Sequence, residues 1–359
     1  MEDRASAWFR QRSSHWRDWP TDQLLPSKRR QGLRISVVIP ARDEEQTVAG
    51  VVTAIRQALV LDAPLVDEIV VVDSDSTDAT AAVAARAGAT VHRARDIAPH
   101  LGSYPGKGEA LWKSLLVTKG DLLVFVDADL TRWGPHFVTG LVGPLLDDPD
   151  VLLVKGFYAR VKTEHDGSTS TEGGRVTELV ARPLLSLWWP ELTGVVQPLA
   201  GEWAARRSLM ESLSIPVGYG VELAAVLGTF SRHGLPALAQ VDLGARAHRH
   251  QSDHDLALMA AELLVVAESR HAGPRRPRPD VALHQFVREQ GTGSGSTGSG
   301  STGSGSTGSG STGSGSTGSG STGSGSTVRP RVRPVPTRER PPASAVLASH
   351  MRLPTPEAL

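Results

Sequence analysis

The sequence predicts an α/β protein whose core is a doubly wound parallel sheet. Two observations carry this. Short apolar, β-branched runs alternate with helix-period runs between residues 34 and 126, the strand–helix–strand order of parallel sheets. The strand runs are apolar on both faces, as buried strands are, and they end on Pro40, Asp73 and Asp127. Right-handed crossovers bring such ends to one edge, where ligands bind in this class.

The elements follow in order. Residues 34–40 form a buried strand stopped by proline. Residues 44–59 place Val48, Val51, Val52, Ile55 and Leu59 at helical spacing, with Asp43 or Thr47 as N-cap. Residues 67–73 are a second strand. An alanine-rich helix over 77–87 is capped from Ser76-Thr-Asp78 at its start and by Gly88 at its end. A strand over 89–94, a helix over 108–118 and a strand over 122–126 complete the pattern. The run 256–267, interrupted by Glu262, reads as a core helix.

Composition divides the chain of 359 residues. Residues 1–33 are a polar arm whose Trp8, Trp16 and Trp19 are expected to dock it on the body, which spans halves 34–150 and 151–270. Residues 271–290 are a C-terminal extension, Pro/Arg-rich and then weakly helical. Residues 291–327 contain only Gly, Ser and Thr in a five-residue period, a flexible linker reaching about 33 Å. Residues 328–359 read as a Pro/Arg-rich disordered tail. Linker and tail are expected to be dispensable for the chemistry.

The absence of cysteine excludes a disulfide scaffold, a thiolate metal site and a Cys nucleophile. With 38 basic against 38 acidic residues and 5% aromatics, nucleic acid is not an expected partner. No run is long and apolar enough for a membrane span, and the first residues carry no secretory signal, so a cytoplasmic location is expected.

Five motifs carry candidate chemistry. Asp127-Ala-Asp129 closes a buried strand with two carboxylates that repel unless a cation lies between them, which suits Mg²⁺ or Mn²⁺; a solvated, helix-capping turn is the plainer alternative. Asp73-Ser74 sits at the ligand edge and can hydrogen-bond a base or ribose. In Pro105-Gly-Lys107-Gly, a lysine between glycines at a helix start can meet a phosphate with backbone and ammonium together, unless the loop is merely flexible. Gly173-Gly174-Arg175-Val-Thr177 is either an anion site or an ordinary exposed helix start. Arg246-Ala-His248-Arg249-His250 offers histidines without the local spacing of a zinc site.

Taken in order, these pieces resemble a known family. Ile39-Pro-Ala-Arg-Asp-Glu-Glu45, Val72-Asp-Ser-Asp-Ser-Thr-Asp78, Pro105-Gly-Lys-Gly-Glu-Ala-Leu-Trp112 and Phe125-Val-Asp-Ala-Asp-Leu130 resemble the nucleotide-sugar half of a GT-A glycosyltransferase. Gly173-Gly-Arg-Val-Thr-Glu178, Gln197-Pro-Leu199, Gly218-Tyr-Gly-Val-Glu222 and Val241-Asp-Leu-Gly-Ala-Arg-Ala-His-Arg249 resemble the glucosyl-3-phosphoglycerate synthases of actinobacteria. The likeness covers residues 5–270. It departs from the usual pattern at Asp43 (Asn), Ala128 (Ser), Ala200 (Gly) and His250 (Asn).

The resemblance implies a GT-A type nucleotide-sugar-binding sheet with a smaller acceptor-binding α/β part, and glucose transfer from UDP-glucose to the 2-hydroxyl of 3-phosphoglycerate with retention. It implies donor contacts from Pro40, Ala41, Arg42, Glu44, Asp73, Ser74, Lys107, Asp127, Ala128, Asp129, Leu199 and Glu222. Acceptor contacts would come from Gly174, Arg175, Thr177 and Tyr219, and Mg²⁺ or Mn²⁺ would be held by Asp129 and His248. Lys107, Glu222 and Arg175 would be the catalytic residues, and the protein a homodimer. A related enzyme using a GDP-sugar or another acceptor, and a non-catalytic sugar-nucleotide-binding module, are the alternatives.

Overall fold

The computed structural model describes residues 4–160, 162–163, 169–170, 174–246, 253–271, 282–289 and 327–350. The metal-ligand expectation at His248 and the linker expectation over 291–326 lie outside them. The chain forms two compact units, one of Met1–Val281 with Val335–Leu359 and one of Ala282–Pro334.

The larger unit is built on an eight-stranded sheet. Its strands are β1 (Ser13–His15), β2 (Ile35–Ala41), β3 (Glu68–Asp73), β4 (Thr90–Arg93), β5 (Leu122–Phe125), β6 (Leu153–Arg160), β9 (Trp203–Arg206) and β11 (Leu238–Arg246), in the order β1-β11-β6-β9-β5-β2-β3-β4. Two further short strands, β7 (Lys162–Thr163) and β8 (Thr169–Ser170), pair only with each other. Strands on both sides of residue 150 share the one sheet.

The sheet is not wholly parallel, as expected from sequence, because β9 runs antiparallel to both β5 and β6. Its chain comes from the ligand edge, where Leu199 and Gly201 lie, and a strand entered from that edge has to run back. Alternation along the strands builds two cores, one on each face. Val38, Val70, Val72, Leu123 and Phe125 face one core, and Val37, Ile39, Val71, Leu122 and Val124 the other. Helices α3 (Val48–Arg56) and α6 (His136–Asp147) cover the second face, with α4 (Thr80–Ala87) beside α3. Helices α5 (Lys107–Ser114), α7 (Arg182–Trp188), α8 (Arg207–Ser212), α9 (Val221–His233) and α10 (Asp253–His271) cover the first. In α10 the run 256–267 buries Leu263, Val266 and Ala267 but leaves Leu264 exposed. Among the described residues no helix is long and apolar enough to cross a membrane.

The first 33 residues join this unit. Helices α1 (Arg4–Arg12) and α2 (Thr21–Gln31) flank β1, which adds to the sheet beside β11. Trp8 is buried and donates Nε1–H to the Leu238 carbonyl at 3.0 Å. Trp16 lies on His136, and Trp19 donates to Ser14 Oγ at 2.9 Å.

Two expectations about the end of the chain are corrected. Residues 335–350 are ordered rather than disordered: β14 (Glu339–Arg340) pairs with β10 (Ile215–Pro216), helix α11 (Ala343–His350) follows, and Val335 and Ala343 are buried. The proline and arginine content that suggested a coil is spent on docking, since Arg340 is 6% exposed and ion-paired. In the smaller unit, residues 282–289 form a strand, β12 (Ala282–Glu289), not a weak helix. It pairs antiparallel with β13 (Thr327–Pro334) from Ala282↔Pro334 to Glu289↔Thr327, a distant pairing that overrides a weak local propensity.

Candidate active site

The site lies where the strand ends meet. Two loops latch there. Asp43, at φ 56°, accepts the Thr77 amide at 2.7 Å instead of capping α3; Thr47 makes no side-chain cap either, and α3 begins at Val48. Glu44 N–H donates to Thr80 Oγ1 at 2.7 Å, and Ala79 N–H to Glu45 at 2.9 Å. Polar residues read as helix caps thus bind the loop after β2 to the loop after β3, and Gly88 caps α4 at φ 102° as expected.

The cleft beyond these loops holds about 340 Å³. It is lined by Pro40, Ala41, Arg42, Glu44 and Ser74 on one side, by Lys107, Asp127, Ala128, Asp129, Leu199 and Glu222 along the floor, and by Gly174, Arg175, Thr177 and Tyr219. Asp73 does not line it. Its carboxylate is buried one residue behind Ser74, with one oxygen near the Ser76 amide at 3.4 Å and the other, Oδ1, without a hydrogen-bond partner.

The floor is a charge network. Lys107 Nζ bridges Asp127 at 2.6 Å and Glu222 at 2.7 Å. Arg246 Nη2 reaches Asp127 at 2.9 Å and Asp129 at 3.3 Å, while its Nη1 donates to Glu202 at 2.9 Å and to the Tyr158 hydroxyl at 2.5 Å. The repulsion expected between the two aspartates is thus relieved by an arginine and a lysine. Burial alone pushes the Lys107 ammonium down, but Asp127 and Glu222 outweigh it and hold the ammonium charged well above its ordinary value. Burial likewise favours a protonated Asp127, yet Lys107 and Arg246 keep it ionised far below the usual carboxylate range. Asp129 is raised, by burial and then by the Asp127 charge.

Arg246 only opened a stretch read for its histidines, and Glu202 and Tyr158 were not singled out as site residues in the sequence. Nor was Lys155, which is buried and donates to the Ala200 carbonyl at 2.6 Å beside the cleft. Gly201 is a further one: a Cβ there would stand 2.1 Å from Asp127 Oδ2. A buried lysine inside the β6 run was the one local signal available.

The donor set fits a hard divalent ion. Asp127 and Asp129 offer carboxylate oxygens at a buried strand end that opens onto the cleft. Among the described residues no three His, Cys, Asp or Glu side chains form a cation cage. Such a pair suits Mg²⁺ or Mn²⁺, which keep waters and substrate phosphates in their shell.

Comparison with known proteins agrees with this geometry. Residues 36–205 match the family model "Glycosyl transferase family 2". A glucosyl-3-phosphoglycerate synthase of Petrotoga mobilis is 45% identical over 248 residues, 69% of this chain and 76% of its own. The crystal structure of the Mycobacterium tuberculosis glucosyl-3-phosphoglycerate synthase with Mn²⁺, UDP-glucose and phosphoglyceric acid superposes with a TM-score of 0.71 at 39% identity, covering 91% of this chain and 95% of that one. The same enzyme with Mg²⁺ and UDP gives 0.74 at 38% identity, covering 93% and 99%. The chain is a glycosyltransferase and belongs to the glucosyl-3-phosphoglycerate synthase family.

Proposed function

We propose that the protein transfers glucose from UDP-glucose to the 2-hydroxyl of 3-phosphoglycerate with retention of configuration. One observation carries the proposal: a single cleft gathers the nucleotide-side residues, the Lys107-bridged acidic floor and the Gly174–Arg175–Thr177 anion cradle. Residues 34–150 supply the nucleotide side and 151–270 the acceptor side, with Leu199 and Glu222 of the second half reaching the donor's glucose.

Pro40, Ala41, Arg42, Glu44 and Ser74 hold the nucleoside. Asp73, the remaining donor-side residue, lies behind Ser74 and outside the cleft lining, so it would serve the nucleoside only by holding that loop, through the Ser76 amide at 3.4 Å. Asp127, Ala128 and Asp129 meet the ribose and diphosphate, and Asp129 with His248 holds the Mg²⁺ or Mn²⁺. The ion supplies neutralisation of the departing diphosphate. Lys107 adds a fixed positive charge to the same oxygens, preorganised by Asp127 and Glu222. The Leu199 backbone and Glu222 orient the glucose; Glu222, already paired with Lys107, binds rather than attacks.

Arg175 and Thr177, with the backbone at Gly174, fix the acceptor anion, and Tyr219 closes that side. The entropic part of catalysis comes from this fixing. As the bond from the anomeric carbon to the phosphate oxygen breaks, the acceptor hydroxyl oxygen bonds to that carbon from the same face. Its proton passes to the released phosphate oxygen.

A homodimer is what the family resemblance implies, and the cytoplasm is the location expected of it; the exposed Leu179 and Leu187, each 74% accessible, are apolar surface a second copy can cover. Mass spectrometry of products from UDP-glucose and 3-phosphoglycerate, with and without chelator, tests the function. Glucosyl-3-phosphoglycerate is expected, lost with chelator and restored by Mg²⁺ or Mn²⁺; no turnover with this pair, or turnover only with a GDP-sugar, overturns it.

A further inference from the structure

Arg340, near the end of the chain, is tied to the loop that carries Lys107. Its guanidinium forks onto both oxygens of Glu109, at 2.8 Å from Nε and 2.6 Å from Nη2. Nη1 donates to the Leu101 carbonyl at 2.8 Å and Nη2 to the Gly102 carbonyl at 3.0 Å. The group lies 4.6 Å from the Tyr104 ring centroid and 4.8 Å from that of Trp112. Trp112 in turn donates to the Pro341 carbonyl at 2.8 Å.

The same segment holds the neighbouring loop. Ile215 pairs with Arg340, and Val217 N–H donates to the Arg338 carbonyl at 3.2 Å. The Gly108 and Glu109 amides donate to the Gly218 and Val217 carbonyls at 3.1 and 2.9 Å. Lys107 and Tyr219, which both line the cleft, therefore stand on backbone that residues 338–341 clasp from behind. Between Ala94 and Lys107 there is no helix longer than three residues and no strand to do this work.

We propose that Arg340 is a positioning residue for the transfer reaction, acting through Glu109 to hold Lys107 and Tyr219 in place, and that residues 335–347 are a working part of the catalytic unit. The proposal rests on the function proposed above. A Lys at this position keeps one charge but cannot reproduce the fork and the two carbonyl bonds at once. Glu109 also has Lys113 at 3.5 Å, so removing Arg340 does not strip it of every cation.

The test uses the full chain. Arg340→Ala and Arg340→Lys are each expected to lower kcat at least tenfold while UDP affinity, by titration calorimetry with Mn²⁺, changes less than threefold. A purely structural role lowers the folded fraction, not the kcat of folded enzyme, which circular dichroism separates. In a Lys107→Ala background the same Arg340 changes are expected to cost less than threefold. If Arg340→Ala does not fold, Arg340→Lys alone decides by the same numbers. Amide exchange at Gly108 and Glu109 is expected to speed up at least tenfold in either variant, a readout that stands even if the wild type shows no turnover with the proposed substrates. Folded variants with kcat within threefold of wild type, an undiminished loss in the Lys107→Ala background, or unchanged exchange overturns the proposal.

Discussion

Replacing Gly201 by alanine should disable the site without unfolding the protein. The added Cβ would lie 2.1 Å from Asp127 Oδ2 and 2.6 Å from its Cγ. Ordinary contact is about 3.5 Å, so the carboxylate has to retreat by roughly 1.4 Å. It is gripped by Lys107 at 2.6 Å and Arg246 at 2.9 Å, and a shift of that size breaks both bonds. Hydrogen bonds to charged groups are worth about 1.5–3 kcal/mol each. Losing two from the preorganised floor amounts to about 3 kcal/mol or more, roughly a hundredfold in kcat. Gly201 has no positive φ, so the backbone itself tolerates alanine. Initial rates with UDP-glucose and 3-phosphoglycerate, alongside a thermal melt, measure the effect. A Gly201→Ala enzyme with kcat within threefold of wild type would refute the account of the floor as a rigid charge network.

Three further outcomes are expected. Trp8→Ala removes a buried indole and its bond to Leu238; about 3–5 kcal/mol of stability should be lost, read by urea denaturation, and a change below 1 kcal/mol would mean the arm is not part of the core. Burial pushes the Lys155 ammonium down to about 7, against a partial pull upward from Glu222. Unfolded, the group keeps its proton to about 10.4, so between these values the unfolded chain binds more protons and stability climbs with pH, by up to about 1.4 kcal/mol per unit. Lys155→Met should flatten that part of the slope in urea titrations from pH 7 to 9.5, and identical slopes would show Lys155 is not buried as described. Finally, joining Glu289 to Thr327 by an Asn-Gly turn in place of residues 290–326 should leave activity unchanged, since the paired register suits a two-residue turn and loop closure depends only weakly on length; loss of turnover would give the Gly/Ser/Thr repeat a role.

What was legible in the sequence is what is local. Strands β2, β3 and β5 are apolar runs whose burial repeats within a few residues, and their terminal residues, Pro40 and Ala41, Ser74, and Asp127 to Asp129, announce the ligand edge. The Gly-Lys-Gly and Gly-Gly-Arg stretches were readable for the same reason. The floor was not, because its partners are far apart in the chain: Arg246 is 44 positions from Glu202, 88 from Tyr158 and 119 from Asp127. Arg340 lies 231 positions from Glu109, in a segment whose prolines and arginines suggested a coil. The direction of β9 was hidden too, since a strand of four residues carries no mark of which way it runs. Asp43 failed as a cap because a competing loop offered it the Thr77 amide, and Thr47 because its hydroxyl donates to the Glu44 carboxylate at 3.0 Å.

The sheet's two rims have a consequence for folding in a crowded solution. One rim is β1, three residues long, and the other is β4, four residues long and ending in Arg93, whose side chain is exposed. Such brief borders offer a passing chain only a handful of free amides and carbonyls to zip onto. A large sheet made of apolar strands is thereby denied a template for endless stacking.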